Sequence, residues 1–165
     1  MIKDKILKAL NKQVNEELYS SYSYLAMSAH FKSESLDGFA HWFRLQSQEE
    51  YGHAMKILDY INNRNGKVSL MKIDPPKAEW KAPIDVFKET FDQEVSVSKS
   101  INSIVDLSLT EKDYATNNFM QWFVSEQVEE ESTASKLLDK MKLISDNKNG
   151  LLLLDRELGM RAAAG

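Results

Sequence analysis

Apolar positions recur at alternating three- and four-residue spacings in four long stretches, the pattern of helices with one buried face. The first stripe is Ile6, Leu10, Gln13, Glu17, Ser21, Tyr24, Ser28 and Phe31, and it predicts a helix over about 3–31. The second, Phe39, Phe43, Gln46, Glu50, His53, Ile57 and Ile61, predicts a helix over about 38–64. The third, Phe87, Phe91, Glu94, Ser98, Ile101 and Val105, covers about 83–109. The fourth, Phe119, Phe123, Glu126 with Gln127, Glu130, Ala134, Leu137 and Met141, covers about 114–144. Asp37 is the expected N-cap of the second helix and Asn65-Gly66 its C-terminal stop. Pro83 suits the first turn of the third. A short apolar segment, about 151–162, predicts a fifth helix. It is too small to be stable alone and needs a docking surface, such as another subunit.

Residues 66–83 hold all three prolines and no long periodic pattern. Extended, such a segment reaches roughly 59 Å, whereas a helix of about 26 residues is only roughly 39 Å long. The connection can therefore travel the length of a bundle and leave the second and third helices parallel. The expected fold is all-α: a four-helix bundle with a long crossover between helices two and three, and a short fifth helix. At 165 residues it reads as one domain, with the bundle over about 3–144.

Composition narrows the chemistry. There is no cysteine. Disulfides, thiolate zinc sites, iron–sulfur clusters and cysteine nucleophiles are thereby removed. The net charge is -4 with no basic block, which argues against nucleic acid as a partner. The N-terminus lacks an apolar leader core, and the longest uninterrupted apolar run, Leu151 to Leu154, is far too short for a membrane span. The expected location is cytoplasmic. Trp42 and Trp122 are expected in the core.

Each of the four long stripes contains a glutamate: Glu17, Glu50, Glu94 and Glu130. Buried, unpaired carboxylates are costly, and no Lys or Arg lies within these stripes to pair with them. If the crossover makes helices two and three parallel, all four carboxylates meet near mid-bundle. A bound dication is the economical way to satisfy them. His53 follows Glu50 by three residues, so both share one face. Inward glutamates with Glu-x-x-His are the recurring arrangement of carboxylate di-iron bundles. Oxygen ligands plus an imidazole suit iron or manganese, with zinc as a competitor. Four carboxylates balance two Fe(II) ions when His53 is neutral. The expected division has Glu50 bridging, Glu17 and His53 completing one position, and Glu94 and Glu130 the other. Glu49, Glu126 and Glu129 crowd the same region and with Glu130 could form a third, looser iron position. Tyr24 shares the face of Glu17 and could hydrogen-bond a ligand or donate an electron.

Over nearly its full length the chain resembles the bacterial non-haem ferritins. The resemblance rests on Glu17 with Tyr24, the run Gln48-Glu49-Glu50-Tyr51-Gly52-His53, Glu94, and the run from Asn118 to Glu131. It implies a hollow shell of 24 subunits that oxidises Fe(II) with O2 or H2O2 and stores ferric mineral. Glu17, Glu50 and His53 resemble ligands of the first iron, and Glu50, Glu94 and Glu130 those of the second, with Gln127 beside it. Glu49, Glu126, Glu129 and Glu130 resemble the third iron position. Bacterioferritins repeat Glu-x-x-His on the fourth helix and bind haem through a methionine. Here Gln127 stands three residues before Glu130, so no haem is expected. Animal ferritins place acids early in the fourth helix. Here Asn117, Asn118 and Met120 stand there, so an acidic three-fold iron route is not expected. Two other readings remain open on the residues alone: a different di-metal oxidase of small oligomeric size, and a bundle with no metal.

Overall fold

The computed structural model describes residues 1–164. It contains helices α1 (Asp4–Ser33), α2 (Asp37–Asn63), α3 (Pro83–Thr110), α4 (Tyr114–Ile144) and α5 (Lys148–Leu158), and no strand among the described residues. The four long helices follow their expected spans within two residues at either end. The fifth does not. It starts three residues earlier than 151, because the Asn147 side chain accepts from Gly150 N–H at 3.1 Å and caps it. It stops at Leu158, four residues before 162.

The apolar core is divided in two. One cluster joins Tyr24, Met27 and Phe31 of α1 to Phe39 and Phe43 of α2, Phe87 of α3, and Leu137, Leu138 and Met141 of α4. The other joins Ile6, Leu10 and Val14 to Ala54, Ile57 and Ile61, Ile101 and Ile104, and Met120 and Phe123. Reading each helix from one cluster to the other fixes its direction. α2 and α3 run parallel, and α1 and α4 run opposite to them. The crossover 64–82 therefore traverses the bundle, as its length allows. Asn11 tethers it near its start: its side chain donates to Lys67 O at 3.1 Å and accepts from Ser69 N–H at 2.7 Å. Trp80 anchors its far end by donating to Glu89 Oε2 at 2.7 Å.

Three of the helix ends close in the same way. At α2, Gly66 N–H reaches Ile61 O at 2.9 Å and Asn65 N–H reaches Asn62 O at 2.9 Å, the paired bonds of a Schellman motif. The left-handed residue is Asn65, at φ 55, and not Gly66. Ser35 and Lys112 occupy the same place after α1 and α3, at φ 60 and 56. The turns that follow α1 and α3 are thus tight enough to set their neighbours antiparallel.

The start of α2 departs from expectation. Asp37 is its first helical residue rather than its cap, and its carboxylate pairs with Lys32 at 2.8 Å. The donor at the α2 N-terminus is satisfied by α5 instead: Phe39 N–H donates to Asp155 Oδ1 at 2.8 Å. The contact is so close that a Cβ on Gly38 would lie 1.7 Å from Asp155 O. This docks α5 across the end of the bundle and buries Leu154 and Leu158 in the first cluster. Among the described residues no helix is long and apolar enough to cross a membrane.

Candidate metal centre

Between the two apolar clusters lies a polar layer. Glu17, Gln46, Glu50, His53, Glu94, Gln127 and Glu130 occupy it, and none is more than 9% exposed. Three overlapping sets have ligand atoms all within 4.8 Å of one another: Glu17, Glu50 and His53; Glu50, Glu94 and Glu130; and His53, Glu126 and Glu130. Glu50 is common to the first two. His53 Nδ1 lies 3.4 Å from Glu50 Oε2 and 3.8 Å from Glu17 Oε2. No Lys or Arg pairs with Glu17, Glu50, Glu94 or Glu130 among the described residues.

Each carboxylate is held by a neutral donor one step farther out. Gln13 Nε2 donates to Glu17 Oε1 at 2.8 Å, and Gln13 Oε1 accepts from Ser100 Oγ at 2.7 Å. Gln46 Nε2 donates to Glu130 Oε2 at 2.9 Å and to Glu50 Oε1 at 3.2 Å. Gln127 Nε2 donates to Glu94 Oε2 at 3.1 Å and to Ser98 Oγ at 3.2 Å. The Tyr24 hydroxyl also donates to Glu94 Oε1. Such outer partners fix the direction in which a ligand oxygen points. One atom has no partner: Glu17 Oε2 is buried and receives no hydrogen bond. A buried acceptor in that state is expensive, and a cation beside it would relieve the cost.

The electrostatics agree. Burial first, and then the neighbouring carboxylates, push Glu17 and Glu50 well above the ordinary carboxylate range. Burial raises Glu94 also, against the lowering effect of Tyr24 and Gln127. Glu130 is raised to about 7 by burial and then by Glu94 and Glu49. Tyr24 is held protonated by burial and by the facing Glu94. A cluster that cannot ionise together without a counter-charge is a cation site in waiting. The donor set of carboxylates with one imidazole fits iron.

Two of the expected placements change. Of Glu49, Glu126, Glu129 and Glu130, only Glu126 and Glu130 come together at ligand spacing, and they do so with His53. Glu129 is exposed on the outer side of α4. Glu49 turns instead to Arg161, whose Nη2 lies 2.6 Å from its Oε2. Arg161 lies beyond α5 and 112 residues from Glu49, so no local spacing announces the pair. Trp42 is buried as expected, but Trp122 is 39% exposed. It packs edge-on against His53, with centroids 5.4 Å apart, beneath Lys56 Nζ at 3.9 Å. Gln13 and Gln46 were visible only as polar members of their stripes, and their partners gave them their roles. His30 and His41 join no metal-ligating group among the described residues.

Comparison with known proteins points in one direction. The ferritin-like domain family matches residues 7–144. A bacterial non-heme ferritin of Bacteroides fragilis is 45% identical over 161 residues, covering 98% of this chain and 100% of that one. The corresponding protein of Campylobacter jejuni is 41% identical over 156 residues, covering 94% and 93%. Among solved structures, an open pore ferritin from the archaeon Archaeoglobus fulgidus superposes with a TM-score of 0.97 at 45% identity, covering 98% of this chain and 100% of that one.

Proposed function

Since the chain belongs to the ferritin-like family, we propose that it is an iron-storage subunit that oxidises Fe(II) in its mid-bundle polar layer. Two Fe(II) ions are the substrates. Glu17 and His53 hold one, Glu94 and Glu130 the other, and Glu50 reaches both. Each ion gives up one electron, and the two electrons, with two protons, reduce O2 to H2O2 or H2O2 to two waters. The ferric product moves on to storage inside a hollow shell of 24 subunits. Gln127 lies beside the second position and Tyr24 braces it from α1. A third, looser position lies toward Glu49, Glu126, Glu129 and Glu130.

The observation that carries this reading is the polar layer itself: four buried glutamates with no Lys or Arg to balance them, and Glu17 Oε2 left without a hydrogen bond. The protein side of the chemistry is positional. Gln13, Gln46, Gln127 and Tyr24 hold the ligand oxygens in place before the ions arrive, so little reorganisation is needed at the moment of electron transfer. The two apolar clusters above and below keep bulk water away from the layer. The second position lacks an imidazole and holds iron less tightly than the first.

The test is the initial rate of Fe(II) oxidation followed by ultraviolet absorbance. Glu50→Ala and His53→Ala remove ligands outright, so each should cost more than the roughly 10–100-fold typical of losing an outer partner. Wild-type rates in both variants overturn the assignment. Assembly is tested separately by solution scattering. A shell of 24 chains of 18.9 kDa has a mass of about 450 kDa.

A further inference from the structure

The segment after α5 does not leave the bundle. Arg161 lies along α2 and makes four directed contacts there. Its Nη2 reaches Glu49 Oε2 at 2.6 Å, and its Nη1 donates to Gln46 Oε1 at 2.9 Å and to Trp42 O at 3.3 Å. The guanidinium also lies 4.6 Å from the centre of the Trp42 ring. Its backbone oxygen also meets His41 Nε2 at 2.8 Å. Just beyond it, Ala163 and Ala164 form one wall of a cavity of about 330 Å³ whose other walls include Glu49, His53, Trp122 and Glu126.

This cavity opens beside the His53, Glu126 and Glu130 set, whose ligand atoms lie within 4.8 Å of one another. Glu49 is near enough to raise Glu130 by charge alone. Yet Glu49 is committed to a cation already, and that cation belongs to the chain. Arg161 is the one Lys or Arg that pairs with Glu49, Glu126, Glu129 or Glu130 among the described residues. Its fork is suited to this double duty: one arm takes a carboxylate and the other an amide oxygen.

We propose that Arg161 is an internal counter-ion that keeps the third cation position closed in the metal-free protein. A cation binds at Glu49, Glu126 and Glu130 by displacing the guanidinium, and the tail around Arg161 is released with it. This rests on the third position of the function proposed above. A dication and a guanidinium sharing one partly buried carboxylate repel each other, so the two are alternatives. Gln46 extends the consequence. The same amide that accepts from Arg161 donates to Glu50 and Glu130. Release of Arg161 frees that amide to rotate, which couples the third position to the ligands of the first two.

The test uses Zn(II), which binds such ligands without oxidation. Calorimetric titration of the assembled, metal-free protein should show two tight events per subunit and one weaker event. Arg161→Gln should strengthen the weak event by at least about tenfold, a change of about 1.4 kcal/mol, and leave the count of tight events unchanged. Arg161→Lys, which keeps the charge but loses the fork, should fall between. Glu49→Gln should abolish the weak event. Hydrogen exchange on the unmutated protein gives an independent reading: the amides of Met160 and Arg161, which donate to Glu157 O and Leu158 O at 3.2 Å, should lose protection as the third equivalent of Zn(II) enters, and not before. An equal third affinity in wild type and Arg161→Gln, or a tail still protected at three equivalents, overturns the latch while leaving the third position standing. Two events in every variant overturn the third position and the latch together.

Discussion

Gln127 and Glu94 are joined across the α3–α4 interface by one amide nitrogen, which donates to the glutamate side chain at 3.1 Å and to its backbone oxygen at 3.2 Å. The double contact holds Glu94 Oε2 in a fixed direction, and α4 supplies no imidazole at this place to do more. Gln127→Ala removes the hold and leaves every proposed ligand except the glutamine in place. The expected result is a loss of about tenfold to a hundredfold in Zn(II) affinity at the position shared by Glu50, Glu94 and Glu130. The position of Glu17 and His53 should change little. Calorimetry on the metal-free protein separates the two, and equal weakening of both would show that Gln127 acts on the bundle as a whole.

Tyr24 approaches the same carboxylate from α1, and burial together with Glu94 keeps its hydroxyl protonated. It is therefore a donor across the working pH range. Tyr24→Phe keeps the ring in its packing against Phe43, 6.0 Å away, and removes only the hydroxyl. Glu94 then has one donor instead of two. Its protonation should move upward, and Zn(II) uptake at the second position should need a higher pH than in the unmutated protein. If Tyr24 served packing alone, the pH dependence of uptake would be the same in both.

The long helices and the polar layer were legible because both are periodic. A glutamate inside an apolar stripe announces itself at a spacing of three or four residues. Mid-helix height then follows from the turn residues, which is why Glu17, Glu50, His53, Glu94 and Glu130 could be named together and the structure places them together. Part of what stayed hidden depends on contacts between distant segments. Asp155 caps α2 from α5, 116 residues away, so the local candidate Asp37 was the wrong residue. Arg161 reaches Glu49 only because α5 folds back over the bundle end. The stop of α2, by contrast, is local and falls at Asn65-Gly66 as expected, with Asn65 in the left-handed conformation that an asparagine side chain tolerates. The start of α5 is a local signal as well: its apolar run points to Leu151, whereas the Asn147 cap sets the first turn at Lys148.

Asp113 marks the entrance to α4. Its Oδ1 accepts from Thr116 N–H at 3.1 Å, and its two oxygens take both arms of Arg64 at 3.1 Å. Arg64 closes α2, so one carboxylate caps α4 and ties it to the end of a second helix. Despite partial burial, Arg64 and Thr116 hold Asp113 below its ordinary range. Asp113→Ala removes the cap, worth about 0.5–2 kcal/mol in comparable helices, and leaves Arg64 without its partner. Denaturant unfolding should show a loss near the upper end of that range, with Zn(II) affinity unchanged because the metal layer lies well inside the helices.

The raised carboxylates make stability and metal uptake depend on pH in opposite directions. In the metal-free protein Glu17, Glu50, Glu94 and Glu130 all hold their protons more firmly folded than unfolded, with Glu130 raised to about 7. For a carboxyl raised on folding, the stabilising contribution is full below its unfolded value and is lost as pH rises through its folded value. The metal-free form should therefore lose stability between about pH 5 and pH 8, a window set by the Glu130 value of about 7. Metal reverses the sign. Ions replace the protons, so binding releases protons and weakens as pH falls below about 7. Thermal unfolding of the metal-free and Zn(II)-loaded forms across this range should show the gap in Tm widening as pH rises. Glu17→Gln isolates one contributor. Its amide nitrogen can donate toward Glu50 while its oxygen still accepts from Gln13, so the metal-free variant should be more stable than wild type at pH 8. That advantage should shrink toward pH 5, where pH approaches the carboxyl's unfolded value and protonating it on folding costs little. The variant should lose the first metal position throughout. A Tm gap that is flat with pH, or a Glu17→Gln protein no more stable than wild type at pH 8, would mean that the polar layer carries no electrostatic cost and is not held open for cations.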